Sequence, residues 1–178
     1  MTATLYVAQG YQSGNNTTVN ASKVTAAKTA ADNAQAIVNK YAGKSNYEKL
    51  KGYKDEICAL VSYNHTAAGN QSTPYGDPWQ IIYVFDEDST TNVVCEGYAK
   101  AFQYLCDLSD FDDAVCYTVN GTMYGGTGAG GHMWNIVTLE DKNYLVDVTN
   151  CDDGTVGYPD GLFLKAASGS VDDEYTVN

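Results

Sequence analysis

Three reactive side chains stand where local structure would aim them at one another: Cys95, His132 and Asp147. Cys95 opens "CEGYAKAFQYLCDL", in which Tyr98, Ala101, Phe102 and Leu105 recur at helical spacing and share one inward face. The thiol therefore sits at a helix N-terminus, where aligned peptide dipoles favour a thiolate and a nearby imidazolium favours it further. His132 and Asp147 lie in "HMWNIVTLEDKNYLVDVTN", which reads as a β-hairpin turning at Glu140 and Asp141. That turn sets Leu139 opposite Lys142, Trp134 opposite Asp147 and His132 opposite Thr149. His132 and Asp147 become diagonal neighbours on one face, about 7–8 Å apart at the backbone. A slip of one residue would put them on opposite faces. A histidine held by a carboxylate has its tautomer fixed, and its outward nitrogen is free to serve a nucleophile. A thiolate so placed can attack a carbonyl carbon, with the Cys95 amide helping to hold the oxyanion.

Each group alone has a commoner structural role. A cysteine at a helix start is usually a small core residue, and a lone histidine beside a strand is usually a satisfied one. Asp147 is harder to dismiss, because strands disfavour aspartate and a buried carboxylate must be paired. It is the convergence of three that points to chemistry. The other cysteines fit packing: Cys58 and Cys106 fall on apolar helical faces and Cys116 in a strand, while Cys151 near the hairpin base stays ambiguous. Five cysteines without a C-x-x-C pair and only two histidines give no structural zinc pattern, and the odd count leaves at least one thiol free. His65 reads as a loop histidine.

A competing motif lies beside His132. In "MYGGTGAGGHMWNIV", Gly126, Gly128 and Gly131 match G-x-G-x-x-G, the spacing of a dinucleotide phosphate loop. That loop needs a helix after it, whose first amides meet the pyrophosphate. A strand follows instead, so the nucleotide reading fails. Gly125 to Gly131 then form either a mobile gate giving a substrate room beside His132 or a plain connection between strands.

The elements that must position these groups are legible upstream. Residues 1–22 read as an extended lead-in. An alanine-rich helix follows from Ser22, with Val24, Ala27, Ala31, Ala34 and Val38 at helical spacing and Gly43 as its stop. Ser45 and Glu48 form a capping box that opens a second amphipathic helix carrying Tyr47, Leu50, Tyr53, Lys54, Ile57, Leu60 and Val61. Residues 64–92 form a long irregular segment, a length of loop that often marks function. Then come the Cys95 helix and the strands "AVCYTVNGTMY", "HMWNIVTL" and "NYLVDVT". Helices first and strands after argue an α+β fold on one antiparallel sheet.

At 178 residues one domain is expected. Ten basic against 22 acidic residues give a net charge of −12, which repels phosphate backbones and anionic lipid, so nucleic acid is a poor partner. No apolar run is long enough for a membrane span. The start lacks the form of a signal peptide. The Asn-, Thr-, Gly- and Tyr-rich composition reads as that of an exported protein, so a secreted or cell-surface location with the signal removed is expected.

"VVCEGYAKAFQYL" and "HMWNIVTLEDKNYLVDVTN" together resemble the core of the transglutaminase-like superfamily, whose architecture is akin to papain-type cysteine peptidases. The family pattern has Cys in C-x-G-[YF]-[AS], His in H-x-W-[NV] and Asp in [YL]-V-D-x-[TS], met here by Cys95, His132 and Asp147 in that order. The likeness covers about residues 45–155 and includes the helix "YEKLKGYKDEICALVSYN", similar to one in bacterial members; residues 1–40 and 160–178 carry none. It implies a papain-like, transglutaminase-core α+β fold in a single domain over 1–178. It also implies acyl transfer or hydrolysis on protein or peptide amides through a thioester, with no metal or organic cofactor. Cys95 would attack, His132 would protonate the leaving amine and Asp147 would orient the ring. A further oxyanion or substrate-binding group is expected among Gln71, Tyr75, Trp79, Gln80 and Trp134. A non-catalytic module binding protein or wall peptide on the same fold is the alternative.

Overall fold

The fold is built around one amphipathic helix whose inner face is wholly buried. α5 (Cys95–Asp107) places Tyr98, Ala101, Phe102 and Leu105 at 0% exposure, every third or fourth residue, between a layer of helices and a sheet. The structure is a computed structural model that describes residues 6–7, 9–70, 72–73, 81–125, 130–166 and 175–177.

The lead-in is a small exposed hairpin, β1 (Gln12–Ser13) and β2 (Asn15–Val19), turning at Gly14 with φ +75°. α1 (Ala21–Lys40) is capped by the Asn20 side chain accepting from the Lys23 N–H. Its buried residues are Ala30, Ala34 and Val38, and Val24 is 46% exposed. The inward stripe thus begins later than the spacing alone predicts. The covering layer meets only the second half of the helix, where Asn33 Nδ2 donates to the Phe85 carbonyl. α2 (Asn46–Leu60) opens with the expected capping box: Glu48 N–H donates to Ser45 Oγ, and Ser45 N–H donates to Glu48 Oε2 at 3.0 Å. Leu50, Tyr53, Ile57 and Val61 are buried, whereas Tyr47 at the helix start is exposed. Lys54, 1% exposed, donates to Asp160 and to the Pro159 carbonyl, which ties the C-terminal loop to this helix.

Two single-turn helices, α3 (His65–Ala68) and α4 (Ile82–Phe85), interrupt the segment expected to be irregular. His65 is therefore the first residue of a helical turn. Its cause is local: Asn64 caps the turn by accepting from the Ala67 N–H at 2.9 Å.

The strands β3 (Val115–Met123), β4 (Gly130–Leu139), β5 (Lys142–Val146), β6 (Lys165–Ala166) and β7 (Tyr175–Val177) form one antiparallel sheet in the order β6-β5-β4-β3-β7. The fold class is α+β, as the order of elements predicts. The β4–β5 turn has Glu140 and Asp141 at φ +51° and +58°, both in the left-handed region that a two-residue hairpin turn of matching twist demands. Leu139 pairs with Lys142 and the register runs unbroken to Asn135 and Val146.

There the ladder stops. The Asp147 N–H donates to the Leu162 carbonyl at 2.9 Å, and Thr149–Cys151 turns into a 3₁₀ helix. The expected pairs Trp134–Asp147 and His132–Thr149 do not form, because the returning loop captures the backbone of Asp147 first. Alternate residues of the sheet divide between its faces. Cys116, Thr118, Asn135, Val137 and Val146 lie on the α5 side, and Gly121, Met123, His132 and Trp134 lie on the other. No helix among the described residues is long and apolar enough to cross a membrane.

Candidate active site

Cys95 is the first residue of α5, and the preceding Val94 offers no side-chain cap, so the helix presents its leading amides unsatisfied by its own cap. Three features fix where that end points. Gly97 lets the first turn close onto Val93, where a β-carbon would collide. The Thr118 N–H donates to Gln103 Oε1 at 2.7 Å, and Asn135 Nδ2 donates to the Ala99 carbonyl at 3.0 Å, bolting the helix to β3 and β4. Glu96 and Lys100 pair one turn apart on the outer face.

His132 is 9% exposed and Asp147 fully buried, and His132 Nε2 lies 2.8 Å from Asp147 Oδ2. With Nε2 committed to the carboxylate, Nδ1 is the ring nitrogen left to serve Cys95, a close electrostatic neighbour of the imidazole. Burial opposes a charge on His132. The hydrogen bonds to Asp147 and Cys95 and the charges of both outweigh it, raising the ring to about 10.

Among the described residues, Asp147 accepts four hydrogen bonds through its two carboxylate oxygens. Oδ1 accepts from the Asn150 N–H at 3.1 Å; Oδ2 accepts from His132, from Asn150 Nδ2 at 2.7 Å and from the Tyr175 hydroxyl at 2.7 Å. Burial alone would drive a proton on. The His132 hydrogen bond and charge, with the hydrogen bonds of Asn150 and Tyr175, win and hold the carboxyl below its usual range. Trp134, 1% exposed, lies under this pair, stacked on His132 with ring centres 6.0 Å apart and edge-on to Tyr175 at 5.0 Å.

On the other flank stands Tyr63. A parallel bridge to Val93, together with the Asn64 N–H donating to the Val93 carbonyl at 2.8 Å, pins it two residues ahead of the cysteine. The Tyr63 hydroxyl lies beside the main-chain N–H of Cys95. Burial, then the nearby charges of Cys95 and Asp147, push this hydroxyl up to about 12 despite that N–H, so it remains an O–H donor at neutral pH. A cavity of about 730 Å³ opens here, lined by Tyr63, His65, Met123, Gly131, His132 and Asp152 among others.

The structure brings Cys95, His132, Asp147 and Trp134 together. Gln71, Tyr75, Trp79 and Gln80 lie outside the described residues. So does most of the glycine run; of its described members, Gly130 has φ +140° and lines the cavity with Gly131. All five cysteines are free thiols, and burial raises Cys58 and Cys106 well above the ordinary value and pushes Cys151 up to about 12. Three residues of the site escaped the sequence pattern. Asn150 directly follows the aspartate motif and could have been read from it. Tyr63 and Tyr175 come from an isolated bridge between α2 and α3 and from the short strand β7, where no periodicity marks them.

This architecture defines a transglutaminase-like fold. A solved transglutaminase (TGase) structure superposes with a TM-score of 0.54 over 79% of this chain and 36% of its own, at 15% identity. Kyphoscoliosis peptidase of Homo sapiens is 28% identical over 113 residues, and its Mus musculus counterpart matches equally. The matched region is 59% of this chain and 16% of each peptidase, so the chain spans a small part of those curated relatives. No family model matches the sequence.

Proposed function

We propose that this protein is a cysteine-dependent enzyme acting on amide carbonyls of proteins or peptides. The observation that carries the reading is the buried His132–Asp147 pair, 2.8 Å apart, with Cys95 at a helix N-terminus beside the His132 ring. The similarity to a transglutaminase structure and to kyphoscoliosis peptidase supports it.

In this reading Cys95 Sγ, as thiolate, attacks the carbonyl carbon of a glutamine side chain or peptide. The carbon–sulfur bond forms as the carbonyl π pair moves onto oxygen. The Tyr63 hydroxyl, which lies beside the main-chain N–H of Cys95, would donate to that oxygen. As the tetrahedral species collapses, the carbon–nitrogen bond breaks and His132 gives its proton to the leaving amine or ammonia. Water or a primary amine then attacks the thioester, His132 takes the proton, and the thiolate departs. Asp147 stays ionised throughout and holds the ring.

The test uses a glutamine-containing peptide with a labelled primary amine, following amine incorporation and ammonia release together. Turnover that disappears in Cys95→Ala supports the reading and separates crosslinking from hydrolysis. Equal turnover in the wild type and Cys95→Ala would overturn it.

A further inference from the structure

The catalytic pair described above is closed by a residue from the far end of the chain. β7 docks on the free edge of β3, with Tyr175 beside Met123, Thr176 beside Thr122 and Val177 beside Gly121. This approach needs a glycine: a β-carbon at position 121 would run into the Thr176 carbonyl and the Trp134 ring. Docked there, Tyr175 lays its ring edge-on against Trp134 and tilted toward His132, with centres 5.0 and 6.3 Å away. Its hydroxyl reaches Asp147 Oδ2 at 2.7 Å.

Oδ2 is also the oxygen that receives His132 Nε2. Asp147 stands just after β5 has left the sheet, so no ladder hydrogen bond to β4 fixes its orientation. Its side-chain direction rests on the donors that converge on it: His132 from β4, Asn150 from the following turn and Tyr175 from β7. Among the described residues, Tyr63 and Cys151 are further titratable neighbours, and neither donates to the carboxylate in the contacts described above.

We infer that Tyr175 is a positioning residue, and that the β7 strand is a working part of the site because it delivers the hydroxyl that orients Asp147 toward His132. This rests on the function proposed above. The hydroxyl acts through Asp147 and touches no reacting atom. By donating to Oδ2 it favours the ionised carboxylate, so its removal lets Asp147 take up a proton at higher pH.

The experiment compares the full chain with Tyr175→Phe, which keeps the ring and deletes only the oxygen. Acyl transfer is measured from pH 4 to 9 and thermal unfolding at each pH, and the downfield Nε2–H resonance of His132 is followed by NMR. The expected result is kcat lowered about tenfold, the worth of one hydrogen bond to a charged group. KM stays within about twofold, the acid limb of the profile moves to higher pH, and Tm stays nearly unchanged. The His132 resonance shifts. A variant with unchanged kcat and acid limb overturns the inference, as does a loss uniform with pH that follows a fall in Tm. A wild type without turnover contradicts the proposed function instead. In that case the resonance alone decides the role of Tyr175: a shift supports it and an unmoved signal overturns it.

Discussion

His132 Nε2 meets Asp147 Oδ2 at 2.8 Å although the strand that carries Asp147 has already parted from the strand that carries His132. The pair is held by side chains rather than by sheet pairing. That makes Asp147 sensitive to substitution out of proportion to its size. Replacing Asp147 by Ala removes the acceptor for the Asn150 amides, the Tyr175 hydroxyl and the His132 ring. Loss of about 2–3 kcal/mol of stability is expected from stranded buried donors, with kcat down at least about 100-fold. Because the folded carboxyl lies below its ordinary value of 3.8, its contribution is present above that pH and fades as pH falls further. Urea unfolding of both proteins should show the stability gap narrowing in acid; a gap constant with pH would contradict this assignment.

The second expectation concerns His132. Its folded value of about 10 lies above the ordinary 6.5, so the stability it contributes is complete below about pH 6.5 and is lost as pH rises toward 10. Only two histidines are present, so the His132 signal is assigned by its loss in His132→Ala. An NMR titration should find His132 still protonated at pH 8. A midpoint near 6.5 would remove the charged pair from the mechanism.

Tyr63→Phe separates stabilisation of the oxyanion from activation of the thiol. Acyl transfer requires a donor to the developing oxygen, and loss of one such donor costs about 100-fold in kcat. Alkylation by iodoacetamide displaces iodide at a saturated carbon and needs no oxyanion. Amide turnover should fall while the Cys95 alkylation rate holds. Equal slowing of both would assign Tyr63 to the thiol.

A local check of the scaffold is Ser45→Ala. It deletes the side chain that accepts the Glu48 N–H and closes the capping box of α2. About 1 kcal/mol of stability should be lost, seen as a Tm lower by roughly 2–4 °C for a domain of this size. The kinetics of amide turnover at 25 °C should not change.

What the sequence disclosed about this protein follows from which forces are local. The Ser45 box, the inner face of α5 and the Glu140–Asp141 turn depend on residues within a few positions of one another, and the structure contains all three as read. The divergence of β5 after Val146 depends on Leu162, whose carbonyl takes the Asp147 amide, and nothing near Asp147 signals that competitor. Val24 shows the same limit. Helical spacing marks it apolar and inward, but how far the covering layer extends along α1 is a tertiary matter. Tyr63 and Tyr175 reach the site through a two-residue bridge and a three-residue edge strand, elements too short for any periodic pattern.

The central claim is that Cys95 becomes covalently acylated, and rapid acid quench with intact-mass and peptide mass spectrometry tests it most directly. The protein is mixed with a glutamine peptide, without added amine, and quenched within the first turnovers. The expected product is one adduct equal to the peptide less ammonia, mapped to Cys95, absent in Cys95→Ala and strongly reduced in His132→Ala. No adduct during measurable turnover, or an adduct mapped to Cys58, Cys106, Cys116 or Cys151, would contradict the account.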